Sequence, residues 1–125
     1  MEENNVYPID LFDYDLENDS LLFNYKGIDY KTSIRIDNII LDLGVDGSPV
    51  GAEILNASKM FKVPKSAIKN LKNFYAEISI SKESIEMKFT ISVVVRNHKT
   101  EKFATSHSIN DVNITSVQIA MAESF

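Results

Sequence analysis

The stretch DLGVDGSPVGAEIL, residues 42–55, places Asp42, Asp46, Gly47 and Glu53 at the first, fifth, sixth and twelfth positions of a calcium-loop pattern. Calcium takes about six to eight oxygens, drawn in the helix–loop–helix site from alternate loop positions and a closing glutamate. Here Gly44 stands at the third position without a side-chain oxygen, Pro49 has no N–H, and the flanks alternate like strands. A second acidic set, DYDLEND, carries Asp13, Asp15, Glu17 and Asp19. Alternate carboxylates on a strand project to one side and could gather a divalent cation. The competing reading is a charged turn in which Asp15 and Asp19 accept from nearby backbone N–H groups. The candidate metal ligands are therefore Asp13, Asp15, Glu17, Asp19, Asp42, Asp46 and Glu53, with Asp42 and Glu53 expected to meet Arg35 or a lysine on an outer face.

Five lysines, Lys59, Lys62, Lys65, Lys69 and Lys72, recur at helical spacing opposite Met60, Phe61, Ala67, Ile68 and Leu71. A stripe of this kind suits an acidic partner, RNA or anionic lipid, but equally the solvent face of an amphipathic helix docked on a sheet. Lysines without interleaved aromatics or arginines make a poor reader of bases. Pro64 interrupts the stripe, so two short helices or a kink are expected, with Asn56 or Ser58 capping the start. His98 falls in an NHK turn, and His107 alternates onto the apolar side of its strand, facing Phe89 if that turn has three residues. Neither has a carboxylate or serine at a telling spacing, and no phosphate-loop, dinucleotide or hydrolase signature occurs. No catalytic residue and no cofactor are expected.

The elements that carry these groups are mostly strands. SIEMKFTISVVVR sets Ile85, Met87, Phe89, Ile91, Val93 and Val95 on one face, against Glu86, Lys88, Thr90, Ser92 and Arg96 on the other. FYAEISI repeats the alternation with Phe74, Ala76, Ile78 and Ile80, and SLLFNYK with Leu21, Phe23 and Tyr25. Weaker strands follow near 101–109 and 114–121. A two-residue turn at Asp46–Gly47 would pair Leu43 with Val50, Leu41 with Ala52 and Ile39 with Ile54 on one apolar face. A second turn at Asp37–Asn38 sets Ile36 opposite Ile39, Ile34 opposite Leu41 and Thr32 opposite Leu43. Nothing in that arrangement needs an ion.

YDLENDSL, with Tyr14, Asp15, Asp19 and Leu21, followed by DGSPVGAEILNASK, resembles the uncharacterised domain of unknown function 2283 family over about residues 13–62. The resemblance implies a small antiparallel sheet ending in a helix and brings no established activity. Ala52 departs from the larger aliphatics common at that position, and residues from Phe74 onward lie outside the match.

The chain has 125 residues, 44% hydrophobic and 25% charged, and no cysteine. That suits one globular domain, 1–125, without disulfides or thiolate metal sites. No run is long and apolar enough for a membrane helix, so a cytoplasmic location is expected. The net charge of −5 disfavours general nucleic-acid binding. The expected fold is α+β: mainly antiparallel β, two sandwich-like sets of about four strands, with one helical segment between them. The expected role is a non-catalytic interaction or assembly module, partnered by itself as a homodimer or by another protein, with no membrane partner. Outward-facing Val94, Tyr30 and Tyr75 are candidate contact points. Divalent-cation binding through the acidic hairpins and weak nucleic-acid binding through the lysines are the alternatives.

Overall fold

A computed structural model of the chain describes residues 6–111, 114 and 116–125. The order of elements is β1 (Val6–Pro8), β2 (Leu11–Asp15), β3 (Ser20–Asn24), β4 (Tyr30–Ile36), β5 (Ile39–Gly44), β6 (Pro49–Leu55), α1 (Ala57–Phe61), α2 (Lys65–Lys69), β7 (Asn73–Ile80), β8 (Ser84–Val95), β9 (His98–Ile109) and β10 (Val117–Ser124). Among the described residues ten strands form two five-stranded sheets. Sheet one has the order β2-β3-β6-β5-β4 and sheet two the order β1-β10-β7-β8-β9. Every pairing among the described residues is antiparallel except that of β1 with β10. The architecture is thus mainly antiparallel β with two five-residue helices, and each sheet has one strand more than the expected four. The unexpected strands are short: β1 has three residues and includes Pro8, too little to show any alternation.

Alternation puts the apolar side chains of both sheets into one core. Phe74 of sheet two lies with its ring 4.8 Å from Phe23 and 5.3 Å from Phe12 of sheet one. Phe23 also meets Phe89 at 5.9 Å. Leu21, Ile39, Leu41, Ala52 and Ile54 are fully enclosed from one side, and Ala76, Ile78, Ile85, Ile91 and Val93 from the other. The helices add Phe61 and Ile68 to the same cluster.

The β5–β6 hairpin has the expected pairs Ile39–Ile54, Leu41–Ala52 and Asp42–Gly51. Its tip differs from a two-residue turn. Gly47 donates its N–H to the Gly44 carbonyl at 2.9 Å, and Gly44 donates to Ser48 at 2.8 Å, which leaves Val45, Asp46 and Gly47 as a three-residue loop. Gly47 sits at φ 87°, a conformation its missing side chain makes available. Leu43 then faces Pro49 rather than Val50, and a register shift restores the pairing from Asp42 onward. The longer loop and the bulge cancel, so the buried face is unchanged. At the other turn Asp37 takes positive φ, and Ile36–Ile39, Ile34–Leu41 and Thr32–Leu43 pair as expected.

Gly51 lets β3 approach β6. A Cβ there would stand 2.3 Å from the Phe23 carbonyl oxygen, which is backbone and cannot swing aside. Gly51→Ala is expected to lower the unfolding free energy by about 1–3 kcal/mol. A lower midpoint in urea at unchanged slope would show it.

Candidate functional site

The carboxylates proposed as ion ligands are distributed by the sheet pleat. Asp13 and Asp15 lie on the outer face of β2, Glu17 projects from the turn, and Asp19 turns inward and is 7% exposed. Asp15 accepts from the Asn18 N–H at 3.1 Å and side-chain amide at 2.7 Å. The Asn18 side chain, aided by that N–H, holds the Asp15 carboxyl below its usual range. Asp46 accepts from the N–H and hydroxyl of Ser48. Asp42 accepts from Ser33 at 2.6 Å, and Glu53 accepts from the Ser20 hydroxyl. Among the described residues the expected contact of Asp42 and Glu53 with Arg35 or a lysine does not form. Arg35 lies on the same outer face as both but donates to the Asp37 carbonyl. Among the described residues no three histidine, aspartate or glutamate side chains stand close enough together to hold a metal ion.

Asp19 has a different task. Its backbone carbonyl accepts the Ala57 N–H at 3.0 Å. Its carboxylate accepts the Ser58 N–H at 2.9 Å, the Ser58 hydroxyl at 2.6 Å and the Tyr14 hydroxyl at 2.6 Å. A helix start leaves unpaired N–H groups that need acceptors, and here the acceptor comes from a turn 39 residues earlier. Asn56 precedes α1 in a left-handed conformation without a side-chain cap, so neither Asn56 nor Ser58 caps the helix. Burial pushes the Asp19 carboxyl up, but hydrogen bonds from Ser58 and Tyr14 and the charge of Lys65 together hold it below its usual value. Burial, then the bond to Asp19, pushes the Tyr14 hydroxyl far above its usual range.

The five lysines are all exposed, but they do not share one helix. Lys62 ends α1 at φ 58°, and Pro64 opens α2, so the stripe is split between two short elements. Phe61, Ala67, Ile68 and Leu71 are buried, as expected for their opposite face.

Sheet two offers the more developed surface. A two-residue turn at Arg96–Asn97, both at positive φ, joins β8 to β9 and pairs Val95 with His98. This corrects the three-residue NHK turn. The shift is odd, so it moves His107 from the inner to the outer face and places it opposite Glu86 rather than Phe89. His107 Nε2 stands 3.8 Å from the Glu86 carboxylate, both side chains well exposed. Cross-strand rows Gln118–Ser79–Glu86–His107 and Ala120–Glu77–Lys88–Thr105 line a groove of ≈ 390 Å³ on this outer face. Lys88 lies over the Phe103 ring at 4.6 Å, leaving Glu77 opposite it without an ion pair among the described residues. Glu86 and Lys88 were readable as outward positions from alternation alone, whereas Thr105 and His107 became so only once the β8–β9 turn is set.

A second groove of ≈ 610 Å³ runs beside β9, between Thr105, Ser106 and His107 on one side and Asp37, Asn38 and Met60 on the other. The Ser106 hydroxyl oxygen is enclosed there without a hydrogen-bond partner. β9 pairs along its twelve residues with β8 and, among the described residues, has no strand on its other side, although α1 approaches it. Of the expected contact points, Val94 is 46% and Tyr30 61% exposed, whereas Tyr75 is partly buried. None of the helices among the described residues is long and apolar enough to cross a membrane.

Residues 11–58, which make up sheet one and the start of α1, match the family described as "Protein of unknown function (DUF2283)". The chain is 39% identical over 103 residues to a Methanosarcina mazei protein named "Putative hypoxanthine phosphoribosyltransferase", covering 82% of this chain and 84% of that one. It is 34% identical over 110 residues to "Uncharacterized protein MJ0789" of Methanocaldococcus jannaschii, covering 87% and 95%. No solved structure matches the chain. The chain belongs to the family of these archaeal proteins, and its first sheet is the part that matches the DUF2283 model.

Proposed function

We propose that the protein is a non-catalytic binding module that takes up a protein partner by adding a strand to the open edge of β9. The observation that carries this reading is the edge itself. An unpaired strand edge presents a row of free N–H and C=O groups, and natural sheets shorten, bulge or charge such edges unless they are used. The three other edge strands are guarded. β1 is three residues long with Pro8, β2 is five residues long, and β4 carries Lys31, Arg35 and a register shift near Tyr30. In β9 only the first half is charged. Its second half, FATSHSI, carries no lysine, arginine or carboxylate and borders the groove beside Ser106.

The residues of the family resemblance support a scaffold rather than a reaction centre. Asp15, Asp19, Asp46 and Glu53 are each engaged in bonds that fix a turn, a helix start or a strand pair. The name of the Methanosarcina relative suggests phosphoribosyl transfer instead. That chemistry calls for backbone N–H groups cradling phosphate and carboxylates open to a divalent ion. The first N–H groups of α1 are taken by Asp19, and the described carboxylates do not converge. Incubation with hypoxanthine and a phosphoribosyl donor is expected to yield no nucleotide.

A photo-crosslinking side chain at Thr105, with the same group at Asn73 as control, tests strand addition in the producing cell. Discrete protein adducts at Thr105 and none at Asn73 are expected. Absence of adducts at Thr105 and at every other β9 position would sink the reading.

A further inference from the structure

We propose that the strand added at β9 is β9 of a second copy, running antiparallel with Ala104 facing Ala104 across a two-fold axis. The inference rests on strand addition at this edge and adds the identity and register of the partner. Two copies of one edge strand can join only if each residue meets one on the same side of the merged sheet, because a one-residue slip exchanges the faces. Two nearly full-length registers satisfy this, one centred on Phe103 and one on Ala104. Centred on Phe103, Lys99 would face His107 of the second copy, and Glu101 would face Thr105, leaving its charge unanswered. Centred on Ala104, Glu101 faces His107, Phe103 faces Thr105, Lys102 faces Ser106 and Lys99 faces Ile109, each twice by symmetry.

The Ala104 register answers four features of the free surface. His107 stands between Glu86 of its own sheet and Glu101 of the other copy, on the outer face where both are exposed. Lys102, on the inner face, arrives at the groove holding the unpartnered Ser106 hydroxyl and the Asp37 carboxylate. Ile109, 71% exposed, receives the aliphatic stem of Lys99. Ala104, already buried against the helices' side of the sheet, lets the strands meet at the centre without a large side chain between them. The charged half of each β9 lies along the uncharged half of its partner. This is the self-complementarity that a two-fold interface requires.

The chain has no cysteine, so engineered thiols report the register directly. Glu101→Cys mixed with His107→Cys is expected to give a covalent dimer under mild oxidation, whereas Glu101→Cys mixed with Thr105→Cys is not. The reverse result would overturn the register. In sedimentation equilibrium the native chain is expected to dimerise at micromolar concentration. Glu101→Lys is expected to weaken the dimer by at least about tenfold, since it replaces the carboxylate that would accept from the facing His107 with an ammonium that cannot. Glu101→Lys combined with His107→Glu is expected to recover affinity to within about threefold. All three positions are exposed, and circular dichroism confirms that each variant is folded. A strict monomer at about 100 µM, well above ordinary dissociation constants, overturns the inference. If Thr105 still crosslinks to other proteins in that case, strand addition stands and only the second copy is lost.

Discussion

Replacing Asp19 with alanine is expected to lower the unfolding free energy by about 3 kcal/mol, read from the denaturation midpoint in urea. The change removes the acceptor for the Ser58 N–H, the Ser58 hydroxyl and the Tyr14 hydroxyl together. Hydrogen bonds to a charged group are each worth about 1.5–3 kcal/mol, and a buried donor left without a partner adds its own cost. Loss of a helix cap alone costs about 1 kcal/mol. A drop of only a few tenths would mean that water replaces the carboxylate and that the turn is not tied to α1. The same site gives an acid limb with a defined sign. The folded carboxyl lies below its ordinary value, so its contribution is complete above the unfolded range near pH ~4 and is lost as pH falls through the folded value. Asp19→Asn has no such titration. Its stability gap from the native chain is expected to narrow steadily below that range.

Phe74→Ala is expected to cost about 3–5 kcal/mol, the range for emptying a large aromatic site in a closed core. Phe74 is 1% exposed and touches Phe12 and Phe23 of sheet one and Phe89 of its own sheet. Removing its ring therefore opens the seam between the sheets rather than a pocket within one. Since small domains are stable by only about 5–15 kcal/mol, the variant is expected to be partly unfolded at growth temperature. Phe74→Leu keeps most of the volume and should lose less than half as much. Equal losses for the two substitutions would place the effect in ring geometry rather than in volume.

Much of the fold could be read from local patterns. Alternation in β7 and β8 identified the inward residues, and Asp37–Asn38 and the residues around Asp46–Gly47 fixed how β4, β5 and β6 pair. Local patterns failed where a turn had two plausible lengths. Arg96 is an unusual residue for positive φ, so nothing in VVVRNHK favoured a bend one residue earlier, and that one choice reversed His107. They also failed where the partner is remote. The three hydrogen bonds to the Asp19 carboxylate include two from Ser58, which periodicity cannot link to a turn on the far side of four strands. The acidic residues read as a possible ion site were visible by composition. Their engagement in turns and caps depends on contacts that only the folded chain displays.

Sheet one is made of strands that follow one another, whereas β1 lies beside β10, with Val6 opposite Ala120. During synthesis the five strands of sheet one can pair as soon as they leave the ribosome, yet their oily side stays bare until β7 and β8 emerge. The first strand must wait longer still, idle for more than a hundred residues, before its parallel neighbour exists to receive it. Pairing of β1 with β10 therefore follows the first layer, and a nascent chain stalled before β10 would carry that layer finished while β1 lacked its strand partner.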